Sequence, residues 1–438
     1  MIRKLVEIFK SKELRERIFF TLGIFLVFKI GTTLIVPGIT PNIIEFKDGD
    51  LFSLMNVLGG NSLQNFSLFA LGISPYITSS IIIQLLSMME ILPKLSELSK
   101  QGEKGRKKLD NATRYLTIIL AAVQGFGTIK LMEGYGLTPV HGGIFTTWDY
   151  IYITITIVAG SMFVLWLADR ISSKGIGNGV SMIIAAGIVS TIPTQMMGAY
   201  RNFIDFGLSN NVIISGIISF MIYLLAYLLF ILFVVFIEKS VRKIPLQHSQ
   251  NTTKPGDVHH LPVKLNPAGV IPVIFSSSFM MAIVTIASMF GSENQTAVLI
   301  SQIFNMSADV NGVYWGLMIY VFLIIVFTFF WSNMQLDPAK LSENLAQNNS
   351  YIPGIRQGRE TENYLSKVIN RVAAVGGLTL SAVAALPILL TIWFDLDSSI
   401  AFGGTSLIIV VGVALETYEQ VKSKLAGKEY KGFGKRGA

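Results

Sequence analysis

Residues 212–237 read VIISGIISFMIYLLAYLLFILFVVFI, an apolar run without a single charged side chain. A bilayer core of about 30 Å is crossed by roughly 20 helical residues, so this run is long enough to span. In lipid the backbone must satisfy its own hydrogen bonds, which selects a helix or a closed barrel. Barrel strands alternate apolar and polar residues, and this run does not. Further apolar runs lie on both sides, near 18–36, 67–89, 113–131, 150–168, 176–193, 267–290, 313–333, 369–393 and 399–418. The runs at 67–89 and 176–193 are the most polar, with many Ser, Thr and Gly residues. The pattern predicts an all-α membrane protein with ten transmembrane helices.

Composition points the same way. Of 438 residues, 51% are apolar and 14% charged, whereas soluble domains carry about 25% charged residues. Disordered and collagen-like chains are excluded by the same figures. Cysteine is absent, which removes disulfide frameworks, cysteine nucleophiles and thiolate metal sites.

The net charge of +8 matters less than where the basic residues fall. There are six up to Arg17, seven from Ile91 through Arg114, two in Asp169–Gly175, five in Glu238–Leu265, five in Met334–Arg371 and six from Glu419 onward. The intervening loops hold only Lys47, Lys130 and Arg201, and Lys29 lies inside the first run. This asymmetry alternates at every crossing and predicts that both termini are cytoplasmic. Met1–Arg17 is too long and charged for the leading region of a cleavable signal peptide. Within it, Ile2, Leu5, Val6 and Phe9 share one helical face. That face suits a short interfacial helix, and a disordered basic leader fits the spacing equally well.

Enzyme chemistry is missing. No G-x-x-x-x-G-K-[ST] phosphate loop occurs. Gly175-Ile176-Gly177-Asn178-Gly179 imitates a dinucleotide fingerprint, but it opens an apolar span and suits a flexible junction where backbones approach closely. His259 and His260 follow Asp257, and adjacent residues in a solvated loop make a poor metal site. Ion-coupled carriers place ionisable groups at mid-membrane. Lys29 is the one candidate, and the favoured reading is that it reaches the outer interface. The polar residues deep in spans are neutral: Gln84, Gln124, Ser276, Ser277, Ser278 and Asn333. A passage lined by apolar and neutral groups fits better than a coupled transporter. Asp50–Phe66 is apolar but too short to span, so it reads as re-entrant or interfacial. The long basic loops 238–265 and 334–371 suit an acidic cytoplasmic partner or a lipid surface.

Five motifs carry a specific likeness. Ser67–Gln84 (SLFALGISPYITSSIIIQ), Trp166–Gly179 (WLADRISSKGIGNG), Asn266–Pro272 (NPAGVIP), Tyr351–Arg356 (YIPGIR) and Phe402–Ser406 (FGGTS) occur in order along nearly the whole chain. Together they resemble the signature segments of the SecY family, the core of protein-translocation channels, most closely in its bacterial form. The resemblance implies two inverted five-helix halves around a central hourglass pore. It divides the chain into an N-terminal amphipathic segment (1–17), a first half with the plug (18–193, plug about 50–66), a second half with both large loops (194–418) and a cytoplasmic tail (419–438).

By motif position, the resemblance implies a pore ring of Ile73, Ile77, Val180, Ile184, Ile274 and Ile409. Such an apolar constriction dewets and resists ions, yet makes no strong bond to a passing chain. The plug would use Leu51, Phe52, Leu54, Met55, Val57, Leu58, Gly59 and Gly60. Thr78, Ser79, Ser80, Gln124, Ser276, Ser277 and Ser278 would lie on or near a lateral gate. Through that gate, signal sequences and membrane segments leave for the phospholipid bilayer. Arg356, with Arg359, Arg242 and Lys243, would meet a motor or a ribosome.

The implied partners are the SecE and SecG subunits, the SecA ATPase, the ribosome and preprotein signal sequences, in the bacterial cytoplasmic membrane. No cofactor, metal or nucleic-acid readout is implied, and the energy for transport would come from the partners. The chain departs from the family at Gln357, where proline is frequent, at Lys29, where arginine is frequent, and at Val180, where isoleucine is common. Rival readings are a ten-helix secondary transporter and an insertase or scaffold without a continuous pore.

Overall fold

A computed structural model describes residues 11–40, 51–88, 93–203, 210–248, 259–290, 294–306, 308–310, 312–394 and 404–433. Within the described residues every apolar run lies at least in part on a helix. In chain order the elements are α1 (Lys12–Thr33), α2 (Leu51–Leu58), α3 (Ser74–Met88), α4 (Pro93–Lys100), α5 (Gly102–Gly134), α6 (Thr147–Lys174), α7 (Gly179–Phe203) and α8 (Asn210–Lys239). Strands β1 (Val241–His248) and β2 (His259–Lys264) follow. Then come α9 (Ile271–Ser288), α10 (Gln295–Phe304), α11 (Trp315–Gln335), α12 (Pro338–Gln347), β3 (Ser350–Tyr351), α13 (Arg359–Phe394) and α14 (Gly404–Phe433). Among the described residues, 7 of these helices are long and apolar enough to cross a membrane. The charge-free run in α8 leaves Leu225, Leu229, Leu232 and Phe236 exposed, as a lipid-facing helix must.

Local chemistry sets several helix ends. The α6 start is a capping box: the Asp149 amide donates to Thr146 Oγ1 (3.4 Å), and the Thr146 amide donates to Asp149 Oδ2 (2.8 Å). Asp337 caps α12 ahead of Pro338, a residue preorganised for the first helical turn. The 67–89 run is shorter as a helix than expected. Residues 68–73 form turns, with Gly72 at φ 53, and α3 begins only at Ser74-Pro75. The proline is welcome in a first turn but would cost a helix its interior hydrogen bond.

Helix ends differ from the apolar runs elsewhere, for one reason. Hydropathy marks where lipid lies, while lysine, arginine and glutamate are good helix formers that carry a helix on into water. So α1 starts at Lys12, inside the segment assigned to 1–17, and α5 starts at Gly102, well before its apolar run. The tail expected from 419 onward begins as a continuation of α14, which runs to Phe433. The N-terminal interfacial stretch Ile2–Phe9 lies outside the described residues.

The two basic loops are not independent, and the fold is not wholly helical. β1 pairs antiparallel with β2, and β1 also pairs with β3 from the second loop, giving the order β2-β1-β3. His259 and His260 therefore sit in a strand opposite Leu246 and Pro245, not in a plain loop. Ile244, Val263, Ile352, Leu365, Val368 and Val372 form a separate hydrophobic core beneath the sheet. Lys264 ties this unit to α14 through Glu419 (2.8 Å), and Asn266 Nδ2 donates to Glu238 Oε1 at the end of α8 (3.0 Å).

One large core unites the spans. Within the first half, α1 packs on α6, α3 on α5, α5 on α6 and α6 on α7; within the second, α9 packs on α11, α11 on α13 and α13 on α14. The halves meet at two seams. At one, α9 lies against α3 and α5; at the other, α14 lies against α7.

Candidate functional site

The motifs converge where these seams meet. The ring positions come from α7 (Val180, Ile184), α9 (Ile274), α14 (Ile409) and the start of α3 (Ile73, Ile77). Ile73, Ile77, Ile184, Ile274 and Ile409 are buried, and Val180 is half-buried against the same core. The Gly175–Gly179 junction places them. A methyl at Gly179 would strike the Ala168 carbonyl, and Gly177 adopts φ 84, so α7 can start flush against α6. Asn178 Oδ1 then caps α7 by accepting from the Val180 amide (3.1 Å).

The short helix α2 packs against α7, α9 and α14, three of the elements that carry the positions expected to form a ring. Met55, Leu58 and Gly59 share a cavity with Ile73, Ile77, Ile184, Ser277, Ser278 and Met281. Its volume is about 40 Å³, room for a few water molecules and too little for a peptide chain. A turn follows α2: Gly60 and Asn61 have φ 70 and 66, the left-handed conformation that ends helices. Asn56, itself buried, knits that turn by accepting from the Gln64 amide (2.8 Å) and donating to Asn61 Oδ1 (3.2 Å). Leu51, Phe52 and Leu54 lie on α2, and Val57 is half-buried there.

The neutral polar residues expected near the gate lie on α3, α5 and α9, and most of those hydroxyls turn back onto their own helices. Thr78 donates to Ser74 O, Ser79 to Pro75 O, Ser80 to Ile77 O, Ser276 to Pro272 O and Ser277 to Ile274 O. Gln124 is buried in α5, and Ser278 faces the cavity. Among the described residues, the reach across the seam comes from Ser288, whose hydroxyl is shared between the Gly127 carbonyl (3.1 Å) and the Thr285 carbonyl of its own helix (2.7 Å). Gly127 permits it, because a side chain there would collide with the Thr285 carbonyl. Neither Gly127 nor Ser288 carries a sequence signal beyond a small residue in an apolar helix.

At the sheet end, Arg242, Lys243, Arg356 and Arg359 are exposed, and none pairs with an acid among the described residues. The Thr361 hydroxyl donates to the Arg356 carbonyl (2.8 Å), and Gln357 Nε2 donates to the Ser350 carbonyl (3.4 Å), so the loop that presents Arg356 is tied down.

A membrane bundle of two helical halves, with an apolar constriction between them and a short helix lodged against it, is built as a plugged channel. The SecY family profile matches residues 67–418. A relative, "Protein translocase subunit SecY" of Staphylococcus carnosus, is 41% identical over the full length of both chains. A solved structure described as "The structure of a protein conducting channel" superposes with a TM-score of 0.71 and 20% identity, covering 93% of this chain and 92% of its own. A second, concerning a SecY plug domain that "stablizes the closed state of the translocation channel", gives a TM-score of 0.68 at 20% identity, covering 93% and 92% of the two chains. The chain belongs to the SecY family.

Proposed function

We propose that this chain forms a protein-conducting channel that moves unfolded preproteins across the bacterial cytoplasmic membrane and releases apolar segments sideways into lipid. The observation that carries this reading is the seat of α2, which packs against α7, α9 and α14 where the ring residues lie. An apolar constriction suits the task, because it resists ions by dewetting yet binds no sequence strongly. The gate would part along the seam where α9, backed by α11, meets α3 and α5. Among the described residues that seam is held mainly by packing and the shared Ser288 hydrogen bond, and interhelical bonds are worth about 0.6 kcal/mol on average in membranes.

In this reading the chain crosses the membrane ten times with both termini in the cytoplasm, in line with its basic loops. It hydrolyses nothing itself. The exposed Arg356, Arg359, Arg242 and Lys243 would dock the SecA ATPase or a ribosome, and arginine suits bidentate pairing with carboxylate or phosphate. SecE and SecG would complete the channel within the membrane. The test is ion efflux from proteoliposomes. The parent chain should hold an ion gradient, and deletion of residues 51–58 should release it. Equal tightness of both would leave a scaffold without a pore.

A further inference from the structure

Lys29 is a cation inside α1, in a part of the sequence that otherwise reads as a span. Ammonium groups in such segments are costly unless they find oxygen ligands or water. Lys29 pairs with no carboxylate among the described residues. Its Nζ instead donates to the carbonyl of Gly60 (3.3 Å) and to Ser190 Oγ (3.2 Å). Gly60 closes the turn that follows α2, and its carbonyl accepts no backbone hydrogen bond among the described residues. Ser190 in turn donates to the Gly187 carbonyl (2.7 Å). Gly187 lies so close to the plug that a methyl there would stand 2.5 Å from the Leu58 carbonyl. One ammonium thus joins three separate pieces of chain: α1, the plug turn and α7.

We propose that Lys29 is the latch of the plug, its ammonium holding the Gly60 carbonyl against α7 through Ser190 and so fixing the plug in its seat. The proposal rests on the channel reading given above. The positions are consistent with a reversible catch. Arg17, near the start of α1, donates to the Gly175 carbonyl just before α7 (3.4 Å), and α1 then rises about 18 Å to Lys29. The latch therefore acts beyond the ring, on the side of the plug away from the sheet. Lys29 is exposed at its own surface. When the plug leaves, the long side chain is free to re-aim its ammonium, so the catch holds without trapping.

The absence of native cysteine permits a clean test. A thiol introduced by Met55→Cys lines the cavity beside α2, and one introduced by Ile144→Cys is 85% exposed and serves as control. Each is labelled in full-length, membrane-embedded protein with an impermeant maleimide added from the side bearing Ile144. Adding Lys29→Met should speed labelling at Met55→Cys about tenfold, the effect of losing one charge-assisted hydrogen bond. Lys29→Arg should restore the slow rate, and Ile144→Cys should not change in any background. Should Lys29→Met fail to accumulate, Ser190→Ala carries the test, with a rise of about threefold expected from one weaker hydrogen bond.

An unchanged rate at Met55→Cys, or an equal rise at Ile144→Cys, overturns the latch. Ion efflux from the variant lacking 51–58 separates the two ideas. If that variant leaks while Lys29→Met leaves labelling unchanged, the channel stands and the latch falls.

Discussion

Gly127 lies in α5 where that helix meets α9 across the seam between the halves, and a methyl group there has no free space. The position a Cβ would take falls against the Thr285 carbonyl, 2.9 Å from Thr285 Cγ2 and 3.1 Å from Met289 Cγ. The two side-chain atoms can move aside, but the carbonyl belongs to the α9 backbone. Gly127→Ala must therefore separate the helices. Overpacking of this kind costs about 1–3 kcal/mol. Alanine also favours helix over glycine by about 1 kcal/mol, but α5 is helical whether the seam is closed or open, so that gain cancels. Weakening of the Ser288 bond to the Gly127 carbonyl adds a few tenths.

The net shift toward the parted state is about 1–3 kcal/mol, or roughly fivefold to over a hundredfold in population. The assay is a spin-label distance between Ile119→Cys on α5 and Phe279→Cys on α9, both exposed positions. Gly127→Ala should add a longer distance population, together with a faster resting ion leak. Gly134→Ala, on the same helix with nothing within 4 Å of the added methyl, should do neither. A folded Gly127→Ala protein with the parent's distance distribution would refute the claim that this contact holds the seam shut.

Other perturbations separate the parts of the molecule. Ile352→Ala, in the small core under the sheet, should destabilise that unit by about 2–4 kcal/mol; limited proteolysis should then cut the loops around β3 while leaving the spans intact. Arg356→Ala should leave thermal unfolding unchanged and weaken motor or ribosome binding at least tenfold, with Arg356→Lys a poor substitute because lysine lacks the bidentate fork. Tyr320 is wholly buried, and its hydroxyl has no hydrogen-bond partner among the described residues. Tyr320→Phe should therefore be neutral or stabilising by up to about 1 kcal/mol in thermal unfolding, and a loss larger than that would show a partner for the hydroxyl.

The spans were legible in the sequence because lipid imposes a single strong rule. An apolar run such as 212–237 has one low-energy home, and α8 occupies it. The helix ends were less legible, since Lys12 and the charged residues early in α5 extend their helices by propensity that hydropathy does not report. The sheet was hidden for a different reason. β3 is two residues long, and its partner β1 lies about a hundred residues earlier, so no local pattern announces the pairing. At the site, the ring and plug positions came through motif resemblance alone, because an isoleucine such as Ile184 looks like any packed core residue. The seam contact between Gly127 and Ser288 and the reach of Lys29 to Gly60 depend on which helices become neighbours. Neither is written in the spacing of either segment.

The central claim is that a translocating polypeptide passes between the halves, over the ring. The most direct measurement is photocrosslinking from a stalled secretory chain to a photoreactive residue at Ile184, which is 2% exposed and lines the central cavity. Leu225, 58% exposed on α8, is the lipid-facing control. The account predicts strong crosslinks at Ile184 and none at Leu225. Equal crosslinking at both positions, or none at Ile184 during active translocation, would contradict it.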